Sequence, residues 1–251
     1  MKNKNLLLAA DMGNSNITIG FFSKSKIVKR VNIPTKSSIQ LLIRSIKKDA
    51  KNIELAVVTS VVPKASVRLK KAFKALNISS KFIGKDISVP IENLYKDPKQ
   101  VGRDRLVNGY AAKILYGYPA IIIDFGTATT FDYIDKNGAY SGGIITPGVE
   151  LTIKTLSENT ALLPEIDIKK PKKLIGKTTT ESIRSGIVNG IVAMCDGLIS
   201  NIKSLKKSEP IVIATGGLAT LFKPRTTQID RVDKDLTLKG ILAIYKSVYN
   251  R

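Results

Sequence analysis

The sequence predicts an α/β chain of two domains, and three observations carry that reading. Short aliphatic runs such as "NLLLAADMG" (5–13) and "AIIID" (120–124) alternate with amphipathic helical segments. The order strand, Asp-x-Gly, polar turn, strand, turn, strand occurs twice, an internal repeat at domain scale. The 251 residues, 43% of them apolar, are enough for two modest cores. The cut falls near Gly117, giving domains 1–117 and 118–251.

The elements follow in order. "NLLLAADMG" reads as a buried strand ending at Asp11, and "NITIGFFS" (16–23) as the next. "IVKRVNI" (27–33) follows a polar turn as a third. "SSIQLLIRSIKKDA" (37–50) places a serine cap before apolar residues at helical spacing. "IELAVVTSVV" (53–62) is a strand, "KASVRLKKAFKAL" (64–76) a basic amphipathic helix and "SKFIG" (80–84) a short strand. A loop-rich region then leads to a helix from about Gly102. In the second half "AIIID", "ATTFDYID" (128–135) and "AYSGGIIT" (139–146) are strands, and a helix-rich section follows. Its longest candidate is "TTTESIRSGIVNGIVAMCDGLISNIKSL" (178–205). "PIVIATGG" (210–217) is a strand meeting a glycine pair, and "LKGILAIYKSVYN" (238–250) is a closing amphipathic helix.

Composition narrows the function. Lys and Arg number 41 against 20 Asp and Glu, a net charge of +21. Such a balance attracts anions, but the lysines are scattered and aromatics are only 6%, so base-stacking platforms are scarce. No specific nucleic-acid partner is expected. The single cysteine, Cys195, excludes an internal disulfide and reads as a buried thiol. No signal peptide is visible, and no apolar run is expected to span a membrane, so a cytoplasmic protein is the default. Histidine is absent, which leaves acid–base work to carboxylates, Lys, Tyr or water.

"DMGNSNIT" (11–18) and "DFGTATTF" (124–131) share one chemistry. Glycine at 13 and 126 is expected to turn the chain sharply and bring backbone N–H groups to a ligand. Asn14, Ser15, Asn16, Thr127, Thr129 and Thr130 offer donors to phosphate oxygens. Asp11 and Asp124 repel phosphate, so they make sense with a cation between. Two such turns, one per domain, would close on a nucleoside triphosphate. The plainer reading is a pair of β-hairpins with Asx-turns. Against it stands the repetition, since each carboxylate ends an aliphatic strand where a charge is costly without a partner. Thr215-Gly216-Gly217 is a third turn, through which a flat ring or sugar could approach the backbone.

These motifs in this order resemble the acetate and sugar kinase/Hsp70/actin superfamily. "VGRDRLVN", "DFGTATTFD" and "SGGIITPG" together resemble the type III pantothenate kinases, over nearly the whole chain. The resemblance implies two actin-like, ribonuclease H-like domains, each a mixed sheet flanked by helices. It implies ATP-dependent phosphorylation of pantothenate to 4′-phosphopantothenate. The ATP phosphates would meet Asp11, Met12, Gly13, Asn14, Ser15, Asn16, Ile17 and Thr18, with Thr127 also contacting ATP. The family usually has Thr where this chain has Ser15, and the hydroxyl is kept. Asp124 would hold a monovalent cation, K+ or NH4+, and Mg2+ would accompany the nucleotide. Tyr95, Gly102, Arg103, Asp104 and Arg105 would line the pantothenate pocket. Thr179 would reach the substrate, although Thr178 replaces the family's Asn and leaves the register open between Thr178 and Thr180. Asp104 would be the catalytic base, and a homodimer is implied.

The residues give their own reading of "RDR". Phosphoryl transfer asks for positioning, charge neutralisation and a group aimed at the attacking hydroxyl. Asp104 between two arginines fits, is expected to stay ionised, and Arg105 could fork onto a carboxylate. A helix-start ion-pair cluster fits the same three residues. "SGGIITPG" reads as turn chemistry that borders the cleft. "IGKTTTE" mimics the tail of a phosphate loop, but Pro171 stands where its first glycine is required. Two other functions stay open: a catalytically silent homologue acting as a regulatory or binding protein, and a kinase of another small carboxylated alcohol.

Overall fold

The computed structural model describes residues 6–249. Asn5 of the first expected strand and Asn250 of the closing helix lie outside them. The chain divides into two units, Met1–Leu115 with Asp235–Arg251, and Tyr116–Lys234.

Unit 1 is a five-stranded mixed sheet in the order β3-β2-β1-β4-β5. Its strands are β1 Leu6–Met12, β2 Asn16–Ser23, β3 Lys26–Pro34, β4 Ile53–Ser60 and β5 Ser80–Phe82. β1, β2 and β3 form an antiparallel meander; β4 lies parallel to β1 and β5 parallel to β4. Alternation along β1 sorts its side chains. Leu8, Ala10 and Met12 join one apolar cluster with α1 (Ile39–Lys47) and α2 (Pro63–Ala75). Leu7 and Ala9 join another with α3 (Arg103–Leu115) and α7 (Leu236–Tyr249). The apolar run in β1 is therefore continuous because both faces are covered. Ser38 caps α1 as expected, its side chain accepting from Leu41 N–H.

Unit 2 repeats the plan with the order β10-β9-β6-β7-β8. Its strands are β6 Ala120–Phe125, β7 Ala128–Ile134, β8 Tyr140–Pro147, β9 Ile211–Gly216 and the two-residue β10 Arg231–Val232. β6 pairs antiparallel with β7 and parallel with β9, as β1 does with β2 and β4. Helices α4 (Val149–Glu158), α5 (Thr179–Lys206) and α6 (Ala219–Phe222) pack on Ile121, Ile123 and Phe125.

Two expectations change. α7 belongs with unit 1 rather than with the half that precedes it in sequence. Its Leu238, Ile241 and Ile244 are buried beside Leu7, Val57 and Val107. The α3 backbone comes so close that a Cβ on Gly240 would sit 2.7 Å from the Val107 carbonyl. Second, α5 is long and apolar enough, by length and composition, to cross a membrane. In unit 2 its Ile187, Val188, Cys195 and Ile199 are buried against the sheet. Its Asp196 also accepts a hydrogen bond from Thr226.

Candidate active site

The first aspartate turn is built from the end of β1. Asp11 pairs with Thr18 on β2 and with Thr59 on β4. Gly13 N–H donates to the Asn16 carbonyl at 3.0 Å and closes the turn. Buried Thr35 braces it from behind, donating from Oγ1 to the Gly13 carbonyl at 2.7 Å. Arg68 in turn donates to the Thr35 carbonyl at 2.6 Å. The turn is thus held through its backbone, leaving Asn14, Ser15 and Asn16 exposed. Met12 and Ile17 are core residues, so only their backbone faces a ligand at this turn.

The second turn sits at the end of β6. Asp124 pairs with Thr130 on β7 and Thr215 on β9. Thr127 at the tip is exposed. Two further glycines close on this turn. Gly148, the N-cap of α4, donates its N–H to the Thr127 carbonyl at 3.1 Å. A Cβ there would lie 2.3 Å from that oxygen. Gly216, at φ +88°, would place a Cβ 2.6 Å from Asp124 Oδ1. The two segments read as turn chemistry in the sequence, "TPG" and "TGG", converge here on Asp124 and Thr127.

Gly13 and Gly126 correct an expectation. Neither has positive φ, and an added Cβ would meet nothing nearer than 3.5 Å at Gly13 or 3.4 Å at Gly126. The fold does not need glycine there for its own turn. Glycine instead keeps the space in front of the backbone open.

Asp104 lies in the first turn of α3, beside Arg105, which is buried at 8% exposure. The Arg105 N–H donates to Asp104 Oδ1 at 2.9 Å. A Cβ on Gly102 would fall 2.5 Å from that same oxygen, so the carboxylate occupies space only glycine leaves. Burial pushes the Asp104 pKa up, and the Arg105 N–H and guanidinium pull it only part of the way back. The sequence expectation weighed the two arginines, which favour the ionised form; burial adds a larger opposing effect, so the shift is upward.

Arg103, half-buried, lies across Gly84, whose φ is +85° and whose added Cβ would strike the Arg103 side chain. It borders a cavity of about 400 Å³ shared with Asn93, Pro98 and Lys99. Tyr95 is in the same loop, its N–H donating to Asn93 Oδ1 at 3.1 Å. In unit 2, Thr178 caps α5 by accepting from Glu181 N–H at 3.2 Å. Thr179 and Thr180 follow in the first turn of α5, Thr179 exposed and Thr180 half-buried. Among the described residues no three His, Cys, Asp or Glu side chains cluster to hold a metal. Asp11 and Asp124 are single carboxylates with threonines as strand partners, and hard oxygen groups of this kind could hold K+ or Mg2+.

The sequence profile of the type III pantothenate kinase family matches residues 7–201. A type III pantothenate kinase of Halalkalibacterium halodurans is 38% identical over 251 aligned residues, covering 96% of this chain and 99% of its own. One from Citrifermentans bemidjiense is 37% identical, covering 96% and 99%. The chain belongs to the type III pantothenate kinase family. It is a phosphotransferase, and its family reaction is the ATP-dependent phosphorylation of pantothenate in coenzyme A synthesis, with ATP and a divalent metal. Solved structures agree on the fold. The activator of 2-hydroxyisocaproyl-CoA dehydratase from Clostridium difficile, with bound ADPNP, superposes with a TM-score of 0.56 at 13% identity, covering 98% of each chain. The apo pSK41 ParM protein gives 0.52 at 11% identity over 99% of each. These structures share the architecture of two mixed sheets flanked by helices.

Proposed function

We propose that Asp104 is the group that orients and deprotonates the pantothenate hydroxyl. The observation that carries this is its burial beside Gly102 and Arg105, which raises its pKa toward that of an effective base. Arg103, Arg105, Gly102 and Tyr95 form the acceptor side. Arg105 offers a planar fork to the pantothenate carboxylate. Thr179, exposed at the start of α5, offers a hydroxyl to the same substrate. The backbone of residues 11–18 would meet ATP phosphates, and Thr127 at its own turn would contact ATP. The divalent cation would neutralise charge on the transferred phosphoryl group. Asp124, flanked by Thr130 and Thr215, would hold the monovalent cation, K+ or NH4+.

A homodimer fits the exposed side of α5. Gly186, Gly190 and Gly197 are open, with nothing within 4 Å of an added Cβ, and they recur at helical spacing. A second copy could pack its own α5 there in a two-fold contact. The protein works in the cytoplasm on this reading, without a specific nucleic-acid partner. Steady-state assay of ADP release tests the assignment: Asp104→Asn retaining full turnover with pantothenate would overturn it.

A further inference from the structure

We infer that Thr59, outside every motif of the active site, is a cation-side residue of the Asp11 turn. Three observations meet there. Thr59 is fully buried, and its hydroxyl has no hydrogen-bond partner. A buried, unsatisfied hydroxyl costs stability and needs a reason. Its position supplies one: Thr59 is the register partner of Asp11 on the parallel strand β4. Paired residues project from the same face of a sheet. Alternation agrees, since Leu7 and Ala9, four and two residues before Asp11, and Val57, two before Thr59, share one cluster.

The repeat supplies the third observation. Asp11 has Thr18 on one side and Thr59 on the other. Asp124 has Thr130 and Thr215 at the corresponding places. Two sheets of the same topology thus carry the same rung, Thr–Asp–Thr, at the end of their central strand. A threonine is not the common choice for a fully buried strand position unless its hydroxyl is used. In this rung a hydroxyl can accept from a water bound to a hard cation, or bind the cation itself. Thr59 therefore orients the divalent cation that accompanies the nucleotide at Asp11. It acts as a positioning residue.

The inference rests on the nucleotide reading of the Asp11 turn, but its test does not need turnover. Mn2+ and ADP are titrated into the whole protein, and free Mn2+ is followed by electron paramagnetic resonance. Thr59→Val should weaken Mn2+·ADP binding roughly tenfold, and Thr59→Ser should stay near wild type. In an Asp11→Asn background, Thr59→Val should add no further loss. Should Thr59→Val fail to fold, Thr59→Cys serves, since a thiol is a poor ligand for a hard cation. A folded Thr59→Val or Thr59→Cys protein with wild-type Mn2+·ADP affinity would overturn the proposal. So would an undiminished loss in the Asp11→Asn background. Absence of pantothenate turnover alongside normal Mn2+·ADP binding would instead count against the acceptor assignment alone.

Discussion

Gly102 and Asp104 fit together so closely that a methyl group on the first would lie 2.5 Å from a carboxylate oxygen of the second. The helix start therefore fixes where the proposed base points. Gly102→Ala should displace that carboxylate and lower kcat by about a hundredfold, the scale set by a misplacement of about 1 Å. Its melting temperature should change little, because half-buried Gly102 opens onto a side chain rather than the core. Paired kinetic and melting measurements check this.

Asp104→Asn should reduce kcat by roughly 10²- to 10⁴-fold, the usual contribution of a general base. The pH dependence has a definite sign. The raised pKa means the folded state holds the Asp104 proton to higher pH than the unfolded chain does. Activity should therefore fall on the acid side at a pH above the ordinary carboxylate value of 3.8. Stability from this group should decline as pH rises from the unfolded pKa to the folded one. Asp104→Asn should remove that decline, which melting curves across mildly acidic pH would read.

Gly216→Ala combines a positive φ of +88° with a clash on Asp124. We expect a loss of roughly 1–3 kcal/mol in urea unfolding. The proposed cation site at Asp124 should also suffer, so the K+ concentration for half-maximal activity should rise.

Cys195 is a built-in reporter of unfolding. Burial and the neighbouring Asp196 push its thiol up to about 12. Iodoacetamide at neutral pH should leave the native protein unmodified and label it once denatured. Rapid labelling of native protein would contradict the packing of α5.

Much of this was legible in the sequence, for physical reasons that particular residues make plain. Strands β6 and β7 could be read because aliphatic runs end at Asp124 and a polar turn. The start of α1 could be read from a serine ahead of apolar residues at helical spacing, and Ser38 is that cap. The return of α7 to unit 1 could not be read. Helical periodicity tells which face of α7 is apolar, not which sheet it covers. The closeness of Gly148 and Gly216 to the Asp124 turn was equally hidden, since only the β6–β9 pairing and the α4 cap bring them there. Thr59 sits in "AVVTSVV", where nothing but strand register reveals its facing Asp11. The upward shift of Asp104 was missed because sequence shows neighbouring charges and hides burial.

The central claim is that this chain transfers phosphate from ATP to pantothenate with Asp104 as base. The most direct measurement is ADP release by the wild-type protein and Asp104→Asn, with and without pantothenate, in K+ or NH4+ and then in Na+ alone. The account predicts turnover that needs pantothenate, that is supported by K+ or NH4+ over Na+, and that collapses in the variant. Pantothenate-independent ADP release, or a folded Asp104→Asn protein as active as wild type, would contradict it.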